Sequence, residues 1–298
     1  MSFNIKIIPR EEFSSNPLLA RLLELHDVPE MLYIAGKLPE VTIDEYGRAT
    51  PRILTIVGSR KNTSYGKNVV EKLIRSLTRE NIIVLSGLAY GIDSIAHNVA
   101  LENNLITIAI PGSGLDTKVL YPSTHIKLAE EIVDAGGALI SELQPETPAA
   151  QWTFPARNRI MSALSDAVLV IEAEEKSGTL ITARLALELG RDIGAVPGEI
   201  FSPTSNGTNS LIRDGAYIIS NEADLFALLH LSKKELNEMP QNYSDEEKTI
   251  MDILIEPTEK DLLLIKSNLS PEVFLVNISS LEMKGAIQET FGEVRRIV

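Results

Sequence analysis

Residues 53–60 read Ile-Leu-Thr-Ile-Val-Gly-Ser-Arg, and this run constrains the fold more than any other part of the chain. Its first five residues are mostly β-branched or aliphatic and do not alternate with polar ones. Such a run predicts a strand buried on both faces, as in a parallel sheet lying under helices. Gly58 then allows a sharp turn or a close approach to a ligand. Ser59 and Arg60 follow just beyond the strand's carboxyl end, where open α/β sheets place their ligands. Arg60 is a permanent cation whose planar fork of donors suits phosphate. Taken alone, the stretch is equally well an ordinary strand followed by a surface arginine. Its weight comes from recurrence.

From residue 53 the chain alternates strand and helix. Strands are expected at residues 53–58, 82–85, 105–110, 138–140, 167–171, 192–196 and 216–218. Helices are expected at 66–80, 91–103, 123–135, 157–164, 180–189, 207–213 and 222–229, with a long loop at 141–154. This pattern predicts an α/β fold with a doubly wound, mostly parallel sheet. Upstream, leucines at helical spacing follow Asn16-Pro17 over residues 16–26, and residues 31–36 form a short strand ending in glycine. The expected divisions are a short extension at 1–45, a core at 46–231, a linker at 232–243 and a separate small domain at 244–298. In that last segment Ser244 and Glu247 form a capping box before an apolar run. Helices at 258–266 and 271–283 and a hairpin of 285–288 with 294–298 complete a winged-helix pattern. Val273, Phe274, Val276, Ile278 and Leu281 are expected to supply its core.

Composition excludes several classes. The chain has no cysteine, which removes disulfides, thiol nucleophiles and thiolate metal sites. The apolar run near the N-terminus is too short for a signal peptide, and none approaches a membrane span. A cytoplasmic protein without membrane contacts is expected. The net charge of −13 argues against a globally basic, nucleic-acid-coating surface. No segment is basic overall: residues 232–298 alone carry 8 basic and 13 acidic groups. An anion site must therefore be a local cluster of arginine and backbone N–H groups.

Four strand ends are punctuated alike: Gly58-Ser59-Arg60, Ser86-Gly87, Gly112-Ser113-Gly114 and Ser177-Gly178-Thr179. Each offers small residues, hydroxyls and free N–H groups near a helix start, the chemistry of anion binding. A second constellation is Gln151-Trp152-Thr153-Phe154-Pro155-Ala156-Arg157-Asn158-Arg159. Two arginines at a predicted helix start are unfavourable to the dipole and suggest a partner anion. Phe154 is either a stacking platform for a base or a core residue, and Trp152 is assigned to packing or an interface. Asp93 is a helix cap or a polar anchor, and Tyr121-Pro122 either shapes a crevice wall or simply turns the chain. His26, His97, His125 and His230 show no metal-ligand spacing. No P-loop motif is present. Glu172, Glu174 and Glu175 are read as a solvated acidic turn. No enzymatic activity and no cofactor are expected.

These motifs together resemble the DNA-processing protein A family, DprA/Smf, from about residue 16 to the end. The resemblance rests on Val57-Gly58-Ser59-Arg60 with Tyr65-Gly66, and on the run from Leu85 to Asp93 with Ala96-His97. It continues through Pro111-Gly112-Ser113-Gly114-Leu115-Asp116 with Tyr121-Pro122, and Phe154 through Ile160. Ser177 through Thr182 and Pro197-Gly198 with Gly207-Thr208-Asn209 complete it. The resemblance implies an extended Rossmann-like core that binds single-stranded DNA, forms homodimers and delivers DNA to a RecA-type recombinase during natural transformation. On this analogy Arg60, Phe154, Arg157 and Arg159 line the DNA groove. The chain departs from the family pattern in three places. The N-terminal helical domain of many members is expected to be absent or reduced, two extra residues precede Tyr121, and Ser123 stands where a basic residue is common. An alternative of another class is a nucleoside-monophosphate phosphoribohydrolase of the lysine-decarboxylase-like superfamily, whose glycine loop Ser177-Gly178-Thr179 echoes with Glu188 downstream. The full glycine motif of those enzymes is missing.

Overall fold

The computed structural model describes residues 3–231, 243–254, 256–284, 286–290 and 292–296. The chain divides into two compact units, Met1–Ser232 and Lys233–Val298. The linker expected at 232–243 lies outside the described residues except for Tyr243. Among the described residues no helix is long and apolar enough to cross a membrane.

The first unit is built on a nine-stranded sheet. Its strands are β1 (Ile5–Pro9), β2 (Met31–Gly36), β5 (Arg52–Val57), β6 (Ile82–Ser86), β7 (Ile106–Ala109), β8 (Ala138–Ser141), β9 (Ala167–Val170), β10 (Asp192–Ala195) and β11 (Tyr217–Ile218). A separate ribbon pairs β3 (Thr42–Ile43) with β4 (Ala49–Thr50). The order across the sheet is β1-β2-β8-β7-β6-β5-β9-β10-β11. The seven strands from β8 to β11 run parallel. β2 joins β8 antiparallel, and β1 joins β2 antiparallel. Sequential strands thus run outward from β5 in one direction as β6, β7 and β8, and from β9 in the other. The order reverses between β5 and β9, and a crevice opens at the carboxyl ends of strands at such a point.

The helices are α1 (Pro17–Ala20), α2 (Ser64–Ser76), α3 (Ile92–Glu102), α4 (Ile126–Asp134), α5 (Thr153–Leu164), α6 (Gly178–Glu188), α7 (Asn206–Arg213) and α8 (Glu222–Leu228). The period of two in β5 sorts its side chains to two layers. Ile53 and Val57 join the core formed with Ile160 and Leu164 of α5 and Ala183 of α6. Leu54 and Ile56 join the opposite core with Leu73 and Ile74 of α2 and Ala96 of α3. Each buried valine, leucine or isoleucine among these contributes about 1.5–3 kcal/mol. A third cluster packs Leu128, Ala129 and Ile132 of α4 under Ala35, Ala109 and Leu139. A buried ion pair fixes the leading segment: the Arg21 guanidinium donates to the carbonyls of Leu164 (3.0 Å) and Ser165 (2.7 Å) and pairs with Asp166 at 3.2 Å. Asp166 in turn accepts from the N–H groups of Ala49 (2.9 Å) and Ile53 (2.7 Å).

Three local expectations are corrected. The helix expected over residues 16–26 is only α1 followed by a 3-10 turn, Arg21–Glu24, because Arg21 turns inward to Asp166. Residues 5–9, read only for leader character, form a strand. The helix expected from residue 157 begins at Thr153, so Phe154 and Pro155 belong to α5 rather than to the preceding loop.

The second unit has α9 (Asp245–Ile253), α10 (Lys260–Ser267) and α11 (Pro271–Met283) with strands β12 (Thr258–Glu259), β13 (Ile287–Thr290) and β14 (Glu293–Arg296). The sheet order is β12-β14-β13, all antiparallel. This is a winged-helix arrangement. Residues 258 and 259, expected in a helix, instead pair with β14. The Ser244–Glu247 capping box is present. Of the five expected core residues of α11, Phe274, Ile278 and Leu281 are buried, whereas Val273 is 39% and Val276 70% exposed.

Candidate nucleic-acid interface

The chain reversal between β5 and β9 places the first and last of the four glycine loops opposite each other. They border a cleft of about 460 Å³. From β5 come Gly58, Ser59, Arg60 and Lys61; from the start of α6 come Ser177, Gly178 and Thr179; from α5 come Phe154, Arg157 and Asn158. Ser177 caps α6 by accepting from Thr179 N–H at 3.2 Å. The Thr179 hydroxyl donates to Gly58 O at 3.3 Å, and Asn158 Nδ2 donates to Gly178 O at 3.4 Å, so the two walls are tied together. The partial positive charge of the α6 N-terminus faces this space.

Phe154 stands in the cleft because the preceding loop leaves room for it. A Cβ on Gly112 would lie 2.5 Å from the Phe154 ring, so glycine there seats the ring. The Arg60 guanidinium carbon lies 4.7 Å from the ring centroid on the cleft side. Arg60 and Lys61 are exposed, and among the described residues neither is in an ion pair. A cation held over an aromatic face leaves its outer donors directed at solvent, ready for phosphate, beside a ring that can meet a base. Among the described residues, Glu174 and the buried Asp93 are the acidic side chains that line the cleft.

Arg157 plays a different part. Its Nη1 donates to the carbonyls of Gly87 and Ile110, the second at 2.7 Å, and its Nη2 lies 3.6 Å from Asp93 Oδ2. A side chain on residue 87 would collide with this guanidinium, so glycine there is a packing requirement. Burial pushes the Arg157 pKa down and the Asp93 pKa up, while the attraction between the two opposes both shifts. Arg157 therefore clamps the ends of β6 and β7 beneath the cleft floor. Asp93 is a buried anchor rather than only a helix cap.

Five expected site residues do not line the cleft: Gly87 and Gly112, whose part is in packing, and Ser86, Ser113 and Arg159. Ser86 is fully buried and donates to Ile56 O at 2.6 Å. Ser113 is fully buried, donating to Gly114 O at 3.0 Å and accepting from Tyr121 N–H at 3.1 Å. Arg159 points away, donating to Asp27 O at 2.5 Å and pairing with Glu142. The side-chain polar atoms of Ser86, Ser113 and Arg159 are committed within the protein, and the expectation of cleft contact is corrected for all five. Glu172 is not in a solvated turn either. It is 3% exposed and accepts from the Thr63 N–H (3.0 Å) and hydroxyl (2.5 Å) at the start of α2. Trp152 is 62% exposed and is no core residue. Among the described residues no group of three or more His, Asp or Glu side chains is placed to hold a metal ion.

Lys61 was missed from the sequence, and Gln151, which opens the second constellation, was given no role there; both line the cleft. Lys61 was within reach, because it extends Gly-Ser-Arg by a second cation.

A family model for DNA recombination-mediator protein A matches residues 7–230. Protein Smf of Escherichia coli is 37% identical over 232 residues, covering 77% of this chain and 59% of that protein. DNA processing protein DprA of Bacillus subtilis is 39% identical over 205 residues, covering 69% of this chain and 66% of that protein. The chain thus spans less than two thirds of the length of both. Among solved structures, DprA of Streptococcus pneumoniae superposes with a TM-score of 0.64 at 33% identity, over 75% of this chain and 74% of that one. DNA processing protein A of Helicobacter pylori, described for its single-stranded DNA binding mode, gives 0.62 at 30% identity, over 77% and 98%. With its β5–β9 cleft and glycine loops matched along residues 7–230, the chain belongs to the DNA recombination-mediator protein A family, the DprA/Smf proteins.

Proposed function

We propose that the cleft binds single-stranded DNA, and that the protein holds such strands for a RecA-type recombinase during DNA uptake and recombination. It does so as a homodimer in the cytoplasm and without catalysing a reaction. The observation that carries this reading is Arg60 held 4.7 Å over Phe154 at the mouth of the cleft, opposite the N-terminus of α6. A cation, free N–H groups and one half-buried ring at the cleft mouth suit phosphate and any base face, with no reader of base edges. The relative from Helicobacter pylori, described for single-stranded DNA binding, supports the same assignment. Gly58, Ser59, Arg60, Phe154, Asn158, Ser177, Gly178 and Thr179 are the proposed contacts. The phosphoribohydrolase reading has no such support: Glu188 ends α6, beyond Thr182, and does not line the cleft.

Titration of fluorescent oligothymidine with Arg60→Ala tests the assignment. Affinity falls, and the dependence of log K on log salt becomes shallower by about one unit, because one phosphate contact is lost. Unchanged affinity in a folded variant removes Arg60 from the site.

A further inference from the structure

Outside the cleft, aromatic rings continue in a line. Phe154 meets Tyr121 at 5.8 Å between centroids with planes at 68°. Tyr121 meets Tyr90 at 6.5 Å and 84°, and Tyr90 meets His125 at 5.1 Å and 66°. Edge-to-face pairs of this kind fix the ring positions, the edge of one ring meeting the face of the next. Tyr90 is 41% and Tyr121 40% exposed, so neither is there to fill a core.

The supports beneath them are polar and specific. His125 Nδ1–H donates to Leu88 O at 2.8 Å, and the Thr124 hydroxyl lies 3.3 Å from Tyr90 Oη. Tyr121 N–H donates to Ser113 Oγ at 3.1 Å. Leu88 has a φ of 60°, which is rare for a branched side chain, and its own side chain is fully buried. That conformation is held in place two residues before Tyr90, and backbone outliers of this kind collect at ligand sites. Lys118, on the loop leading to Tyr121, is exposed and among the described residues has no ion-pair partner.

We propose that Tyr90 and Tyr121, buttressed by His125, form a second base-stacking subsite that carries a single strand onward from Phe154. The inference rests on the cleft being the DNA site. Its occupant is nucleobase rather than protein, because the row begins at the ring that Arg60 covers and so continues a phosphate-binding track. Stacking is tolerant of sequence, so the subsite extends the bound length without adding base preference.

The test is polarisation titration of a long labelled oligothymidine with the full chain, comparing wild type, Arg60→Ala, Tyr90→Leu, Tyr90→Phe and Tyr121→Phe. Leucine keeps apolar packing but removes the ring. Tyr90→Leu is expected to weaken binding about 5- to 150-fold, the equivalent of about 1–3 kcal/mol per stacked base, with the salt slope unchanged. Tyr90→Phe and Tyr121→Phe keep near-wild-type affinity, since the ring and not the hydroxyl is used. If wild type binds and Arg60→Ala weakens it, yet Tyr90→Leu binds like wild type, the second subsite is overturned and the cleft stands. If wild type does not bind at all, the cleft reading fails and takes this inference with it. A drop in salt slope for Tyr90→Leu equal to that of Arg60→Ala also overturns stacking, because the loss is then electrostatic.

Discussion

Replacing Arg157 by methionine separates the clamp from the groove. The substitution keeps an unbranched apolar stem and removes the guanidinium. It deletes the donors to Gly87 O and Ile110 O and leaves Asp93 buried with no counter-charge 3.6 Å away. Both side chains are nearly inaccessible, at 9% and 5% exposure, so solvent screens the pair little. Breaking a buried pair by removing one partner costs about 3–5 kcal/mol. The two hydrogen bonds from a charged donor contribute about 1.5–3 kcal/mol each, but they overlap with the pair and are not added to it. The expected loss is therefore about 3–5 kcal/mol. With a urea slope of about 3 kcal/mol per molar, the midpoint of the first unit's unfolding falls by about 1–2 M. Circular dichroism during urea titration reads it. Adding Asp93→Leu to Arg157→Met recovers part of the loss, because both charges are then gone. At urea concentrations where the variant is folded, its affinity for single strands drops less than that of Arg60→Ala. The reasoning is refuted if Arg157→Met unfolds within about 1 kcal/mol of wild type while losing more single-strand affinity than Arg60→Ala. Arg157 is then a phosphate contact.

Two further outcomes follow from other parts of the molecule. His97 is fully buried and bonded to the Thr107 hydroxyl at 2.7 Å, and burial lowers its pKa from 6.5 to about 3. Between those values the unfolded chain binds the extra proton, so the stabilisation is complete above about pH 6.5 and is lost as pH falls toward 3. Between pH 7 and pH 5 wild type should lose about 2 kcal/mol more unfolding free energy than His97→Gln. Identical pH dependence of the two proteins would falsify this; the buried Asp93, common to both, cancels. The winged-helix unit offers a different test. Its α11 has Glu272 and Glu282 and no lysine or arginine, and exposes Val273, Leu275 and Val276. We propose that it serves protein contacts and does not bind DNA. A chain ending at Leu231 should keep most of its single-strand affinity. A loss of about 100-fold, or about 2.7 kcal/mol, in a folded and dimeric truncation makes the unit a DNA-binding element.

How much was legible depends on how local each determinant is. The non-alternating run of β5 and the glycine loop after it could be read directly, because burial on both faces and a turn at the strand end are written in neighbouring residues. Arg157 and Arg159 could not be told apart. Two residues apart on a helix, they lie about 200° from one another. One turns to the strand ends at Gly87 and Ile110 and the other to Glu142. Which of the two faces meets the strand ends is set by Gly87 and Ile110, 70 and 47 residues away in sequence. Ser86 and Ser113 failed for a related reason. A Ser-Gly pair advertises free N–H groups, but the hydroxyl direction is set by neighbouring strands thirty residues distant, as in the bond from Ser86 to Ile56 O. The row from Phe154 to His125 joins segments far apart in sequence, and no spacing announces it.

The central claim is recognition of a strand's backbone and exposed base faces. Polarisation of a labelled oligothymidine, titrated as a single strand and as its duplex with oligoadenosine at several salt concentrations, tests it most directly. Tighter binding to the single strand, weakening linearly in log salt, is expected, since stacked duplex bases offer Phe154 no face. Equal or tighter binding to the duplex at every salt concentration contradicts it.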